Sequence, residues 1–194
     1  RGSGVEWCPG NVPNDKLFYR YQSQIKTAFF RALEQGLSGW QVTDLRATLV
    51  DGEHHIVHTH PLDFFVATPM AVMNGLQNTG TTLLEPLLLV HISAGEECFG
   101  RVTGDIIQMR GSFDAPIVRG GVFSMEAIIP AATSLEYPIR FASLTSGKGL
   151  YAPSFYGYRE CPPDFRCETR RRGVNPLDRS KWILYARGAY SAEE

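Results

Sequence analysis

Between residues 83 and 158 the apolar residues switch repeatedly between strand-like and helix-like spacing, and this succession limits the fold more than any other feature of the chain. Residues 87–92 read as an apolar strand, and Phe99, Val102, Ile106 and Met109 then recur at three- and four-residue intervals before Gly111, so residues 98–109 read as a helix. Residues 112–118 and 122–129 read as a hairpin across Gly120-Gly121, residues 134–144 hold a short helix, and residues 150–158 alternate as a last strand. The order is strand, helix, strand, strand, helix, strand.

That βαββαβ order describes a ferredoxin-like unit. Upstream of it, an irregular Gly- and Pro-rich opening precedes residues 19–35, where Tyr21, Ile25, Ala28, Phe29, Ala32 and Leu33 make one helix face and Gly36 a stop. Residues 42–50 alternate Leu45, Ala47 and Leu49 against Arg46 and Thr48, a half-buried strand turned by Asp51-Gly52. After His54-His55-Ile56-Val57-His58-Thr59-His60, Pro61 and Asp63 suit a helix start, and the helix should run to about Gln77 and stop at Gly80. Pro69 inside it predicts a kink or an early break.

The 194 residues carry 19 Lys+Arg against 20 Asp+Glu, and 43% are hydrophobic, which excludes disorder as the main state. No apolar run reaches about 18 residues, so no membrane span is expected. Residue 1 is Arg, nothing at the start resembles a signal peptide, and a fragment of a longer protein is the expectation. Cys8, Cys98, Cys161 and Cys167 are too scattered for a disulfide framework or a CxxC zinc site, which favours a reducing cytoplasm.

Charge is distributed unevenly. Residues 166–187 hold seven basic residues and two acidic ones. Within them Asn175-Pro176-Leu177-Asp178 reads as a helix start with Asn175 as N-cap, predicting a short basic helix over about residues 176–189.

No GxxxxGK[ST] phosphate loop is present, Gly147-Lys148-Gly149 lacks its spacing, and neither GxSxG nor a Cys/His pairing stands out. No catalytic residue is assigned, and the chain by itself is not expected to be an enzyme. The run containing His54, His55, His58 and His60 admits three readings. It is a zinc or nickel site, a solvated loop tip, or a probe whose imidazoles stack on bases. The spacing belongs to no structural zinc motif, and no metal site is assigned. Arg170-Arg171-Arg172 is either a solvated charge run or a phosphate contact, and Trp182 and Tyr185 either pack or stack on a base.

Glu34-Gln35-Gly36-Leu37-Ser38-Gly39-Trp40-Gln41-Val42-Thr43-Asp44 and Leu83-Leu84-Glu85-Pro86 resemble the fourth and fifth domains of the tetracycline-resistance ribosomal-protection proteins, relatives of elongation factor G. Gly100-Arg101-Val102-Thr103-Gly104-Asp105-Ile106, Arg110-Gly111 and Ser143-Leu144-Thr145-Ser146-Gly147-Lys148-Gly149 resemble the fifth domain throughout these translational GTPases. Arg171-Arg172 and the helix after Asn175 resemble the C-terminal extension of the protection proteins.

The resemblance implies an α+β chain. A split β-α-β fourth domain, ribosomal protein S5 domain 2-like and missing its first strand, would cover residues 1–84. A ferredoxin-like fifth domain would cover 85–165 and a basic extension 166–194. The parent would be a cytoplasmic, monomeric GTPase that binds GTP and Mg2+ through upstream domains, with no cofactor in this segment.

Its partner would be the ribosome, through rRNA of the small-subunit decoding region and the large-subunit GTPase-associated region. Residues His54, His55, Ile56, Val57, His58, Thr59 and His60 align with the family's tip loop, which reaches the decoding region at the tetracycline site. Arg170, Arg171, Arg172, Lys181 and Trp182 would be C-terminal rRNA contacts. The implied function is release of tetracycline in a GTP-dependent cycle of the intact protein.

His55 stands where elongation factor G has a tip histidine, while the protection proteins carry Ser-Pro-Val where this chain has Ile56-Val57-His58. An elongation factor G-like role in translocation or ribosome rescue is therefore the alternative. From another class, the histidine run suits a metal-binding module, and a ferredoxin-like unit suits an oligomerisation module.

Overall fold

The computed structural model of the chain describes residues 2–165, 167 and 169–191; Arg166, one of the basic residues counted above, lies outside them. The described residues form two units, one from those within 2–81 and 164–191 and the other from residues 82–163. The basic C-terminal segment is thus part of the first unit.

The first unit begins with a strand, β1 (Val5–Cys8), in the opening that the sequence reading leaves irregular and short of a strand. Four residues between Gly4 and Pro9 are too few to show a period. β1 pairs in parallel with β2 (Leu45–Thr48), from Val5 opposite Leu45 to Cys8 opposite Thr48. Between them runs α1 (Tyr19–Leu33), whose first free amide, that of Tyr19, donates to Asn14 Oδ1 at 2.8 Å. Its buried face is Tyr21, Ala28, Phe29, Ala32 and Leu33, the face predicted from spacing apart from the half-buried Ile25. Trp7 of β1 lies against Phe29 with ring centres 5.2 Å apart, which fastens the helix to the strand pair.

The next helix, α2 (Pro61–Thr79), packs on α1. It passes through Pro69 without the predicted early break and ends, as predicted, at Gly80. Pro69 is buried, so tertiary packing holds the helix together across the lost backbone bond.

In the second unit, β3 (Leu84–Gly95) leads through a 3-10 turn (Glu96–Cys98) into α3 (Phe99–Gln108). Then come β4 (Ser112–Phe113), β5 (Ile117–Arg119) and β6 (Val122–Pro130), α4 (Ala131–Ser134), α5 (Tyr137–Leu144) and β7 (Leu150–Glu160). The sheet is antiparallel in the order β4-β6-β3-β7, with β5 also on β6, as a ferredoxin-like βαββαβ unit requires. The strand predicted over 112–118 is split into β4 and β5, because Pro116 has no N–H to give the edge. Gly120 and Gly121 both take positive φ, 58° and 77°, the geometry of a two-residue hairpin turn.

Val90 and Ile92 of β3, Phe123 and Ile129 of β6, Val102 and Ile106 of α3 and Phe141 of α5 form one core. Each such side chain contributes about 1.5–3 kcal/mol by leaving water. At the other end of β3 the buried Glu85 takes Arg110 Nη1 and Nη2 at 2.9 and 2.7 Å and Arg159 Nε at 2.8 Å. Burial pushes its carboxyl up, but the hydrogen bonds and charges of the two arginines outweigh this and hold it below the usual carboxylate range.

The C-terminal helix, α6 (Arg179–Ala186), packs on α2 and starts three residues later than predicted. Asn175 turns the chain instead of capping the helix. Its Oδ1 accepts from Leu177 N at 3.0 Å and its carbonyl from Asp178 N at 2.9 Å. Asp178 is the N-cap and accepts from Lys181 N at 3.3 Å.

Candidate nucleic-acid interface

The histidine run lies on the connection from β2 to α2. At its start, Gly52 passes so near Leu17 that a Cβ there would sit 2.6 Å from Leu17 Cδ2, so only glycine fits without displacing a buried leucine. His54 then turns inward. Its amide and its Nδ1 both meet Lys16 O, at 3.2 and 2.7 Å, and its ring lies 3.9 Å from the Phe18 ring and 5.6 Å from that of Tyr21. A carbonyl accepts only, so Nδ1 carries the proton, and the buried Nε2 has no protein partner. His54 is therefore the base of the loop rather than its tip.

Residues 55–59 close on themselves. His55 N donates to Thr59 Oγ1 at 2.8 Å, and Thr59 N donates back to His55 O at 3.0 Å. Inside the turn His55 Nδ1 accepts from Val57 N at 3.2 Å and His58 N at 3.3 Å, which requires an unprotonated Nδ1. The rings of His55 and His58 stack, with centres 4.6 Å apart and planes 24° apart. At the apex Ile56 and Val57 are 80% and 66% exposed, values that mark side chains without an intramolecular role.

Besides His54, two anchors fix this finger. Tyr21 Oη donates to Thr59 O at 2.9 Å, tying the loop to α1. His60 N donates to Asp63 Oδ2 at 2.8 Å, and Asp63 N to His60 O at 3.0 Å, tying it to the first turn of α2. The supporting residues Lys16, Phe18 and Tyr21 carry no motif, and only the aromatic character of the α1 face hints at them.

Among the C-terminal residues, Arg171 and Trp182 are engaged within the first unit. Arg171 Nη2 donates to the carbonyls of Gln35 and Gly36 at 2.7 and 2.6 Å, and burial lowers its guanidinium below the usual arginine range. Trp182 Nε1 donates to Val66 O at 2.9 Å. Gln35 clasps the backbone of Arg172, giving Nε2 to its O at 3.1 Å and taking its N at Oε1 at 2.7 Å. The side chains of Arg170, Arg172 and Lys181 are exposed, with Lys181 Nζ 3.4 Å from Asp178 Oδ2. Among the described residues no group of three or more His, Cys, Asp or Glu is placed to hold a metal, and no helix is long and apolar enough to cross a membrane.

The chain is similar to known proteins over most of its length. Residues 11–80 match the family described as elongation factor G, domain IV, and residues 82–168 match elongation factor G C-terminus. The tetracycline resistance protein TetP of Clostridium perfringens is 35% identical over 185 residues, 95% of this chain, and the chain spans 28% of that relative's length. A crystal structure of a Thermus thermophilus protein superposes with a TM-score of 0.73 at 28% identity, over 82% of this chain and 24% of that one.

Proposed function

Because the chain belongs to the elongation factor G family, carrying its domain IV and C-terminal domain in succession, we propose that it is the ribosome-contacting end of a translational GTPase whose nucleotide-binding domains lie elsewhere in the parent. The closed finger of residues 55–59 carries this reading. A probe that enters an RNA cleft must be narrow and held at its base, and this one is anchored by Tyr21, His54 and Asp63. It offers two stacked imidazoles and two apolar side chains and no fixed charge at the apex, a set suited to base stacking, where each aromatic contact is worth about 1–3 kcal/mol.

The target we assign is the decoding region of small-subunit rRNA. The likeness to TetP supports displacement of tetracycline from that region as the outcome in the parent, with GTP hydrolysis driving release. The exposed Arg170, Arg172 and Lys181 would add phosphate contacts whose strength falls with salt.

The test is a growth assay in tetracycline with the full-length protein. Replacing His55, Ile56, Val57 and His58 by glycine and serine should abolish protection while GTP binding persists. Undiminished protection would overturn the assignment. A parent that never protects but supports translocation in vitro would assign the same finger to the elongation step.

A further inference from the structure

The first unit also contains a cleft of about 410 Å³ bounded by α1, α2 and the C-terminal segment. Ligand sites of small molecules run from about 300 to 1,000 Å³. Arg31, Arg171 and Arg172 line the cleft together with Phe65, Trp182 and Tyr185, and among the described residues no carboxylate lines it. Among the described residues none of the three arginines is in an ion pair.

Arg171 is the most enclosed of them. Its basicity is lowered by burial, and among the described residues no acidic neighbour acts in the other direction and its contacts are two carbonyls and Met73 Sδ at 3.7 Å. A half-buried cation without a counter-ion is an unfavourable arrangement that a bound anion relieves. The walls suit a flat ring. Trp182 and Tyr185 lie 5.8 Å apart, and the Arg31 guanidinium sits 5.9 Å from the Phe65 ring centre. The indole N–H is already given to Val66 O and the Gln35 amide to the Arg172 backbone, so few groups remain to read base edges.

We propose that this cleft binds one nucleotide of single-stranded RNA, its phosphate held by Arg31, Arg171 and Arg172 and its base laid against Trp182 and Tyr185. The recognition is of anion and ring together and is indifferent to base identity. This deepens the ribosome-contact reading, because it gives the C-terminal segment a defined ligand, and it adds Arg31 and Phe65, which no sequence motif marks.

The experiment uses the 194-residue chain with no ribosome present. Indole N–H signals of the 15N-labelled protein are followed during titration with AMP, hexauridylate, inorganic phosphate and hexaglutamate, the Trp182 signal being assigned with Trp182→Phe. AMP and hexauridylate should shift that signal, and Arg31→Gln with Arg172→Gln, both exposed side chains, should weaken binding at least about tenfold at an unchanged thermal midpoint. No shift with either nucleotide ligand, undiminished binding by the double variant, or equal binding of phosphate alone or of hexaglutamate would overturn the proposal. The tip reading stands or falls separately. Nucleotide binding here with no footprint at the decoding region would remove that reading and leave the cleft, and a footprint without nucleotide binding would do the reverse.

Discussion

The carboxylate of Glu85 receives both terminal nitrogens of Arg110, at 2.9 and 2.7 Å. Glu85 belongs to the Leu83-Leu84-Glu85-Pro86 signature that leads into β3 and Arg110 to the Arg110-Gly111 signature after α3, so two of the stretches that carry the family resemblance are the halves of one clasp. Arg159 of β7 completes it from the neighbouring strand.

Glu85→Gln removes the charge and leaves two guanidiniums without a counter-ion. Breaking a buried pair costs about 3–5 kcal/mol. The arginines here are 33% and 37% exposed and water moderates the loss, so about 2–3 kcal/mol is expected. Urea denaturation of the variant checks this.

The same residue sets an acid limb. A carboxyl whose folded value lies below its unfolded one, near 4.5, stabilises the protein in full above that pH, and the contribution disappears as pH falls through the lower folded value. Wild-type stability measured from pH 6 downward should fall through this window, and Glu85→Gln should lose less over the same range. Parallel curves would show that Glu85 is not linked to the transition.

Two neighbouring histidines should behave oppositely. His54→Ala removes a ring packed on Phe18 and a bond to Lys16 O, and should cost about 1–2 kcal/mol in thermal denaturation. His55→Ala should stay within about 0.5 kcal/mol but speed amide exchange at Val57 and His58, whose N–H groups lose their acceptor.

In the C-terminal segment, Arg171→Ala should destabilise the first unit, because the carbonyls of Gln35 and Gly36 lose their donor, whereas Arg172→Ala should not. Trp182→Phe should cost about 1 kcal/mol through the lost bond to Val66 O. Thermal midpoints of the three variants provide the comparison.

Periodicity made the ferredoxin-like order, the α1 face and the Gly80 stop readable, since each depends on local spacing. β1 escaped because four residues carry no period, and the α6 start was misplaced because Asn175 and Asp178 are both good N-caps and only the turn geometry chooses between them. The four histidines look alike in sequence. What separates His54 from His55 is contact with Lys16 and Phe18, more than thirty residues upstream. Arg171 and Trp182 bond to backbone carbonyls, which every residue has, so no side-chain pattern could mark their acceptors.

The central claim is that the finger of residues 55–59 meets small-subunit rRNA. Chemical footprinting of ribosomes with the intact factor and a nonhydrolysable GTP analogue tests it most directly. Nucleotides of the decoding region should be protected by the wild type and exposed again with His55→Ala and His58→Ala together. An unprotected decoding region with the wild type bound, or protection unchanged in the variant, would contradict it.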